Sequence, residues 1–338
     1  MSEPRPMSVI LDVDTGIDDS LALLYACASA DCELLAATCV SGNVDARQVA
    51  ENTLAVLELA GRPDVEVALG REVPLVRPLR TAPETHGPRG IGYAELPPPR
   101  RPLSQRHAAD LFVAEARRRP GEITLVAVGP LTNVAVAVLR EPELPRLLRR
   151  LVIMGGSYRS AGNTAPTSEW NVAVDPEAAQ VAFSAFGAAD LPTRPLALGL
   201  DVTERAKLTP AHLDAIVAQA PDSRLSRFLG DALRFYMEFH SRYDGFYGAF
   251  IHDPLALAAA LDPGLVRSEA LRVEVELGGA WTTGETVADW RRSWGRAPNV
   301  DVAVEVDAER FMQRFVERVG VLAAARGGAA RPAADVAS

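Results

Sequence analysis

Apolar residues along the chain follow two alternating spacings, and this pattern predicts an α/β fold. Short aliphatic runs predict buried strands, and apolar residues repeated every three or four positions predict helices. The predicted strands cover 9–14, 33–39, 65–69, 123–128, 151–154 and 196–200. The predicted helices cover 18–30, 45–60, 108–118, 134–139, 175–183, 211–219, 223–241 and 251–261. Their alternation favours an open, mostly parallel, Rossmann-like sheet with helices on both faces.

The last part of the chain adds a different pattern. Two late strands, 266–276 and 300–306, predict a small antiparallel extension, and a final helix is predicted at 308–325. Residues 326–338 are rich in Ala, Gly and Pro, so we expect a disordered tail there. The sequence contains no internal repeat and no linker that would divide it, which predicts a single domain over residues 1–325.

One segment, 71–102, breaks the rhythm of strands and helices with many prolines and glycines. A long irregular segment inside a compact domain is usually functional or mobile, so we expect a flap over a binding site. The segment carries His86, for which the alternatives are a residue of that site and a solvated loop histidine.

Four carboxylates, Asp12, Asp14, Asp18 and Asp19, lie within a short turn after the first predicted strand. One Asp at a helix N-terminus is usually a cap, and Asp18 or Asp19 is well placed for that role. Capping does not account for all four, because crowded carboxylates repel and must take up protons or share a cation. Ca²⁺ or Mg²⁺ would suit these oxygen ligands. Gly16 lies in the turn, where a positive φ angle is expected.

Composition and charge narrow the range of partners. The 338 residues are 48% hydrophobic and 23% charged, as in ordinary globular proteins. The net charge of −9, without a basic stripe, argues against nucleic acid or an anionic membrane as the main partner. The three cysteines indicate reduced thiols in a cytoplasmic protein. We expect neither a signal peptide at the N-terminus nor an apolar run that spans a bilayer.

The unusual polar residues lie at the carboxyl ends of the predicted strands. Ligands of open α/β sheets bind in the crevice beyond these ends. The residues concerned are Asp12, Asp14, Asn43, 131–133, Met154, 163–171 and Asp201. They predict one acidic, amide-rich crevice that lacks a glycine-rich phosphate loop. Such a crevice suits a polyhydroxylated neutral ligand, such as a sugar, better than a phosphate.

Several short motifs occur in the order found in one known family. They are Asp-Val-Asp-Thr-Gly-Ile-Asp-Asp at 12–19, Ser-Gly-Asn at 41–43, Gly-Pro-Leu-Thr-Asn at 129–133, Ile-Met-Gly-Gly at 153–156, Glu-Trp-Asn at 169–171, Asp-Pro-Glu-Ala-Ala at 175–179 and Ile-His-Asp-Pro at 251–254. On these residues the chain resembles the inosine–uridine nucleoside hydrolases, which are Ca²⁺-dependent nucleoside N-ribohydrolases, from about 9 to 321. Thr15 replaces the family's usual Pro and Trp170 its frequent Phe, and neither change removes a liganding group.

The resemblance implies a Ca²⁺ site next to a ribose pocket. The implied metal ligands are all oxygen donors, as Ca²⁺ requires: Asp14, Asp19, the backbone carbonyl of Thr132, and Asp253. The implied substrate-binding residues are Asp18 and Asn171 at the ribose hydroxyls, Asn163 and Glu169 on the 5′-hydroxyl side, and Asn43 and Met154 in the ribose pocket. Trp170, Tyr243 and Tyr247 are candidates for the base pocket, and they do not decide between purine and pyrimidine.

The implied reaction is hydrolysis of the N-glycosidic bond of a ribonucleoside. Asp14 would act as general base on a Ca²⁺-bound water, and nearby carboxylates would favour the positive charge that develops on ribose. His252 stands where the family often places the acid for the leaving base, and His86 is a second candidate. The resemblance also implies a homodimer or homotetramer and a role in nucleoside catabolism and salvage.

Two other functions remain open from the residues. A Mg²⁺-dependent phosphatase of the haloacid dehalogenase type also opens with a strand and two alternating aspartates. It would need Asp12 as nucleophile and a lysine near the site, and Lys207 is the only lysine in the chain. The second alternative is a non-catalytic nucleoside- or ribose-binding protein, although binding alone does not require Asp14 beside a metal-held water.

Overall fold

The computed structural model describes residues 5–188 and 190–327. Most of the predicted tail, residues 328–338, lies outside the described residues, whereas residues 326 and 327 belong to the last helix. Within the described ranges, no helix is long and apolar enough to cross a membrane.

A central sheet organises the fold. The strands are β1 (Met7–Val13), β2 (Cys32–Cys39), β3 (Glu66–Leu69), β4 (Ile123–Ala127), β5 (Arg150–Met154), β6 (Leu196–Leu198), β7 (Lys207–Leu208), β8 (Ala249–Phe250), β9 (Val266–Leu271), β10 (Val273–Val275), β11 (Thr286–Ala288) and β12 (Val300–Val306). Eight of them form one sheet in the order β3-β2-β1-β4-β5-β6-β12-β9. Every neighbouring pair in this sheet is parallel except β12 and β9. The order reverses between β1 and β4, which is where open α/β sheets bind ligands.

Helices cover both faces of this sheet. They are α1 (Ile17–Ala28), α2 (Ala46–Ala60), α3 (Pro83–His86), α4 (Ala108–Arg118), α5 (Thr132–Arg140), α6 (Leu144–Leu147), α7 (Trp170–Val174), α8 (Pro176–Phe186), α9 (Leu200–Thr203), α10 (Pro210–Val217), α11 (Arg224–Tyr243), α12 (His252–Leu261) and α13 (Ala308–Gly327), with a 3₁₀ turn at Pro263–Leu265. One core contains apolar residues of α1, α2, α11, α12 and α13. The second core contains residues of α4, α5 and α8, so the prediction of helices on both faces is confirmed.

Strand β1 shows how the sequence builds these two cores. Val9, Leu11 and Val13 belong to one core and Ile10 to the other, as the two-residue period of a strand requires. All four are fully buried. A strand covered on both faces is apolar throughout rather than alternating, which explains why the sequence revealed it as a continuous run.

The late strands are arranged differently from the prediction. β9 is antiparallel to β12, as expected, but β12 pairs in parallel with β6 and therefore belongs to the main sheet. The single strand predicted at 266–276 is wrong, because β10 leaves the sheet and pairs with β11. The Asn299 side chain occupies both backbone hydrogen-bonding groups of Val273, at 2.7 and 2.8 Å, where the strand changes partner.

The last helix contributes an aromatic contact to the larger core. Phe315 is fully buried and stacks on Tyr25 of α1, with ring centroids 5.9 Å apart. We expect Phe315→Ala to lower the free energy of unfolding by about 3–5 kcal/mol, measured by urea unfolding, because it leaves a cavity against α1. Val321→Ala is the control on the same helix, since that side chain is exposed, and it should change stability by less than about 0.5 kcal/mol. Equal effects in both variants would contradict this packing.

Candidate active site

A cavity of about 530 Å³ opens among polar side chains that follow the central strands. Asp18, which follows β1, and Asn43, which follows β2, both line it. Met154, the last residue of β5, and His252 and Asp253, the first residues of α12, line it as well. The predicted crevice beyond the strand ends is therefore present, and its volume is typical of a small-ligand site.

The turn between β1 and α1 is held by Asp19, which lies in the first turn of the helix. Its carboxylate accepts hydrogen bonds from the backbone N–H groups of Asp14 at 3.0 Å and Gly16 at 2.8 Å. The side-chain amide of Asn43 donates to it at 3.2 Å. The backbone N–H of Asn43 donates to Asp14 Oδ2 at 2.8 Å. Asp19 therefore caps the helix and fixes the Asp14 backbone.

Gly16 is required in this turn because neighbouring side chains approach its Cα closely, and not because of its backbone angle. Gly16 has φ −92°, so the expected positive φ is wrong. A Cβ atom there would lie 2.6 Å from His86 Nδ1 and 2.7 Å from Asn43 Nδ2. At Gly42, a Cβ atom would lie 2.1 Å from Asp14 Oδ2. The small residues allow three separate segments to meet around the carboxylates.

Four buried carboxylates form an acidic centre at one end of the cavity. Oxygen atoms of Asp18, Asp19 and Asp253 lie within 4.8 Å of one another. Burial, and then the charge of Asp19, raise the pKa values of Asp14 and Asp18 well above the usual range. Burial and the charges of Asp18, Asp19 and Asp14 do the same to the pKa of Asp253. Asp14 Oδ1 has no hydrogen-bond partner in the part of the chain that the structure describes.

The chemistry of this centre fits a hard metal ion. Like charges at this spacing and burial are costly unless they take up protons or share a cation. The donors are oxygen atoms, which Ca²⁺ and Mg²⁺ prefer, and Asp14 offers an oxygen that no described group occupies. The residues that could hold the ion are Asp14, Asp18, Asp19 and Asp253.

The loop after β5 and helix α7 form the polar wall beside the acidic centre. Glu169 is buried and accepts from the backbone N–H groups of Gly156, Asn171 and Val172 at 2.8 to 3.1 Å. The Asn171 amide donates to the carbonyl oxygens of Val128 at 2.7 Å and Met154 at 3.2 Å. Asn163 Oδ1 accepts from the backbone N–H of Trp170 at 2.9 Å.

These hydrogen bonds leave groups free for a ligand. Because the Asn171 N–H groups are directed at backbone carbonyls, its amide oxygen remains available to accept from a hydroxyl group. Asn163, Glu169, Trp170 and Asn171 all line the cavity. The wall therefore offers carboxylate and amide groups of the kind that bind sugar hydroxyls.

Both predicted catalytic histidines are buried in the cavity wall. His86 Nδ1 accepts from the backbone N–H of Ile17 at 3.1 Å, so the neutral ring carries its proton on Nε2. Its Nδ1 atom lies 4.0 Å from Asp18 Oδ1, but an unprotonated nitrogen forms no ion pair there. His252 Nδ1 lies 2.8 Å from Thr203 Oγ1. Burial lowers the pKa of each histidine to about 3, so both rings are neutral at pH 7.

The segment predicted as a flap forms part of the cavity wall. Residues 82 and 84–86 line the cavity. The segment is tied to its surroundings, since the Ala82 N–H donates to Asn43 O at 3.0 Å and Asn52 donates to Arg89 O at 2.8 Å. The Tyr93 hydroxyl donates to Glu238 of α11 at 2.6 Å. His86 is therefore a buried wall residue and not a solvated loop histidine.

Another part of the cavity wall is aromatic and comes mainly from α11. Tyr236, Phe239 and Tyr243 line it together with Phe250 of β8. His240 and Asp244 also line it, and neither was singled out from the sequence. Residues 236, 239, 240 and 243 follow the i, i+3, i+4, i+7 spacing of one helix face. That spacing predicts core packing equally well, and the His–Asp pair four residues apart was the available signal for a site.

The structure brings most but not all predicted residues to the cavity. Thr132 is buried and its hydroxyl donates to Asp175 at 2.7 Å, while Tyr247 lies outside the cavity with 52% of its surface exposed. Asp201 accepts from the backbone N–H groups of residues 158–160 and so supports the loop after β5. Asp12 is fully buried and accepts from Thr38 and Asn133, which removes the exposed nucleophile that the phosphatase alternative requires.

The sheet order places the buried acidic centre and the polar cavity at the switch point, where open α/β enzymes bind their ligands. The sequence profile of the inosine-uridine preferring nucleoside hydrolases matches residues 9–313. The chain belongs to this family, and it is an enzyme that hydrolyses ribonucleosides. The resemblance seen in the motifs is confirmed.

Relatives with different stated substrates are similarly close. The chain is 37% identical to an inosine-uridine preferring nucleoside hydrolase from Leishmania major, over 93% of this chain and 99% of that protein. It is 38% identical to a pyrimidine-specific ribonucleoside hydrolase from Enterobacter, over 93% and 97%. The solved purine-preferring ribonucleoside hydrolase from Gardnerella vaginalis is 32% identical, with a TM-score of 0.88, over 94% and 99% of the two chains.

Asp12 allows a test of the electrostatics at this strand end. Burial raises the pKa of Asp12 to about 7, so the folded protein keeps a proton there at pH values where the unfolded chain has lost it. Titration of Asp12 therefore lowers the free energy of unfolding of wild type as the pH rises from the ordinary aspartate pKa to the raised pKa. Asp12→Asn has no carboxyl group at this position and does not show this change. We measure the difference in free energy of unfolding, Asp12→Asn minus wild type, with a chelator present. We expect this difference to rise by about 2 kcal/mol between pH 5.5 and pH 8.

Urea unfolding of both proteins at the two pH values measures this difference. The asparagine keeps the oxygen that accepts from Thr38 and Asn133, so packing and hydrogen bonding stay matched. A stability difference that does not change with pH would contradict the raised pKa.

Proposed function

We propose that this enzyme cleaves the N-glycosidic bond of ribonucleosides with one Ca²⁺ ion held by Asp14, Asp19, Asp253 and the carbonyl oxygen of Thr132. The observation that carries the proposal is the buried group of carboxylates beside the cavity, together with the unpartnered Asp14 Oδ1 among the described residues. Ca²⁺ accepts such an all-oxygen set and leaves room for ligand hydroxyls. When bound, the ion would polarise the attacking water and the ribose hydroxyls.

The ribose would lie between the acidic centre and the polar wall. Asp18 and Asn171 would accept from two ribose hydroxyls, since both line the cavity with acceptor oxygens. Asn163 and Glu169 would hold the 5′-hydroxyl side, with Asn43 and Met154 completing the pocket. The binding energy of these contacts would hold the anomeric carbon beside Asp14.

The chemical step needs a base and a stabilised transition state. Asp14 would accept a proton from water as the oxygen attacks the anomeric carbon. Positive charge develops on ribose as the bond to the base stretches. The buried carboxylates would stabilise that charge without having to reorganise.

The leaving base would lie against the aromatic part of the cavity wall. Trp170 and Tyr243 line the cavity and would contact a planar ring. His86 would donate a hydrogen bond from Nε2, and His252 would contact the base from the start of α12. The stated substrates of similar relatives include inosine, uridine, pyrimidine and purine ribonucleosides, so we propose ribonucleosides in general as the substrate class.

Assembly and location remain predictions. The homodimer or homotetramer follows from the family resemblance, and light scattering of the purified protein would test it. The three cysteines are free thiols in the structure, in keeping with the cytoplasmic location expected from the sequence.

Release of free ribose tests the reaction. We expect ribose from at least one of inosine, adenosine, guanosine, uridine and cytidine when Ca²⁺ is present, and loss of at least about 100-fold in rate after chelation, because the cation supplies charge at the reacting centre. Adding back Ca²⁺ should restore the rate. Full activity in chelator would overturn the metal proposal, and no ribose from any nucleoside would overturn the substrate class.

The Asp14→Asn variant tests the proposed role of Asp14 as general base and metal ligand. The variant removes a charged ligand and the proton acceptor, so we expect kcat to fall by about 100-fold or more. Calorimetric titration should show weaker Ca²⁺ binding than in wild type. Asp64→Asn is the matched control, because Asp64 is exposed and pairs only with Arg62 within the described ranges. Wild-type kcat in Asp14→Asn would exclude Asp14 as the base.

A further inference from the structure

Two consecutive residues of α2, Asn52 and Thr53, hold the turn that carries the acidic centre. Both are buried, and both contact Thr15, which follows Asp14 and precedes Asp18 in that turn. The Asn52 amide donates to the carbonyl oxygen of Thr15 at 3.1 Å. The hydroxyl oxygens of Thr15 and Thr53 lie 2.7 Å apart. Helix α2 therefore fixes both the backbone and the side chain of one turn residue.

The direction of the bond between the two hydroxyl groups follows from a second contact. The Thr53 hydroxyl donates to the carbonyl oxygen of Val49, one turn earlier on α2, at 2.8 Å. A hydroxyl group has a single proton, so Thr15 donates to Thr53. Thr15 stands where the family usually has Pro, whose ring fixes the backbone angle φ. In this chain a hydrogen bond to α2 supplies the constraint that such a ring would supply.

The Asn52 amide also holds the segment that carries His86. Its second N–H group donates to the carbonyl oxygen of Arg89 at 2.8 Å. Both partners are carbonyl oxygens, which accept hydrogen bonds and cannot donate them, so the amide nitrogen must face them. Gly90 permits this close approach, because a Cβ atom there would lie 3.0 Å from Asn52 Nδ2 and 3.1 Å from the Thr15 carbonyl oxygen. One side chain of α2 thus bridges the turn and the segment.

The segment therefore meets the turn at two points. Asn52 holds Arg89 beside Thr15. His86 Nδ1 accepts from the backbone N–H of Ile17 at 3.1 Å. The turn carries the acidic centre and the segment forms part of the cavity wall, so a change at Asn52 would disturb both. Because Asn52 is buried, its removal would leave two carbonyl oxygens unpaired away from water.

We propose that Asn52 and Thr53 are positioning residues that set the affinity of the acidic centre for its cation, and that Asn52 also sets the affinity for the nucleoside. The inference rests on the proposed function and adds residues that touch neither ligand. Among the residues that the structure describes, neither belongs to the lining of the cavity. Thr53 acts through Thr15 on the acidic centre alone. Asn52 acts on the same turn and, through Arg89, on the wall beside the substrate.

Calorimetric titration with Ca²⁺ alone, and ribose release at saturating Ca²⁺, measure the two effects separately. We expect Thr53→Val to raise the dissociation constant for Ca²⁺ about 10-fold, because the turn that holds Asp14 and Asp18 is released. Its kcat and its KM for a nucleoside should stay close to wild type, since the carboxylates are then held by the bound ion. Asn52→Ala should raise both the dissociation constant and KM about 10-fold, because it also releases the segment that carries His86.

Further variants distinguish positioning from a general loss of stability, and they carry the test if Asn52→Ala does not fold. Thr53→Ser keeps the hydroxyl group and should keep the wild-type dissociation constant for Ca²⁺. Thr15→Pro fixes φ without the hydrogen bond, so Ca²⁺ should still bind, and adding Thr53→Val to it should have no further effect. Glu51→Gln, at an exposed position of the same helix, is the control and should leave both constants unchanged.

The outcomes separate this inference from the proposed function. Unchanged Ca²⁺ affinity and KM in Asn52→Ala and Thr53→Val, with a lower free energy of unfolding in chelator, would overturn the inference alone and indicate a structural role. The same loss of Ca²⁺ affinity from Thr53→Val with and without Thr15→Pro would also overturn it, because Thr53 would then not act through Thr15. Absence of Ca²⁺ binding in wild type would overturn the proposed function and the inference together.

Discussion

The hydrogen bonds that Asp19 accepts are the interaction on which the site depends. They tie the first turn of α1 to the backbone at the end of β1, and they also engage Asn43 from the end of β2. The turn is therefore rigid enough to hold Asp14 and Asp18 close together in spite of their mutual repulsion. A cation that enters the centre relieves this repulsion, so the repulsion between the carboxylates favours cation binding.

The sheet places this turn at the switch point between β1 and β4, where it meets its partners. β1 lies between β2 and β4, and chain connections leave in opposite directions on its two sides. A crevice opens between those connections. Segments from the ends of β2 and β5 and from the start of α12 reach the same crevice, although they are distant in sequence. The sheet and the helices that cover it hold these segments in place around the crevice.

Much of the fold and part of the site followed from sequence. Buried strands such as β1 are continuous apolar runs, and the aspartates after β1 are too crowded to be explained by capping. The polar residues at strand ends could be assigned to one crevice, because parallel strands point their carboxyl ends the same way. The specific motifs then supplied the family.

The features of the site that could not be predicted from the sequence depend on contacts between distant segments. Gly16 is constrained by His86 and Asn43, and neither contact can be read from local spacing. The face of α11 that carries Tyr236 and His240 has the same pattern whether it meets a core or a cavity. Tyr247 looks similar to Tyr243 in sequence, yet the turn after α11 places it outside the cavity.

The acidic centre joins residues of the β1–α1 turn and of the first turn of α1 to a residue of α12, which lies far along the chain. Neither half alone presents the full set of carboxylates, so the centre forms only when the N-terminal and C-terminal parts have packed together. An ion held there would bind the native state in preference to the unfolded chain. Cation availability would then control the lifetime of the folded protein against proteolysis, as well as its capacity to act on substrate.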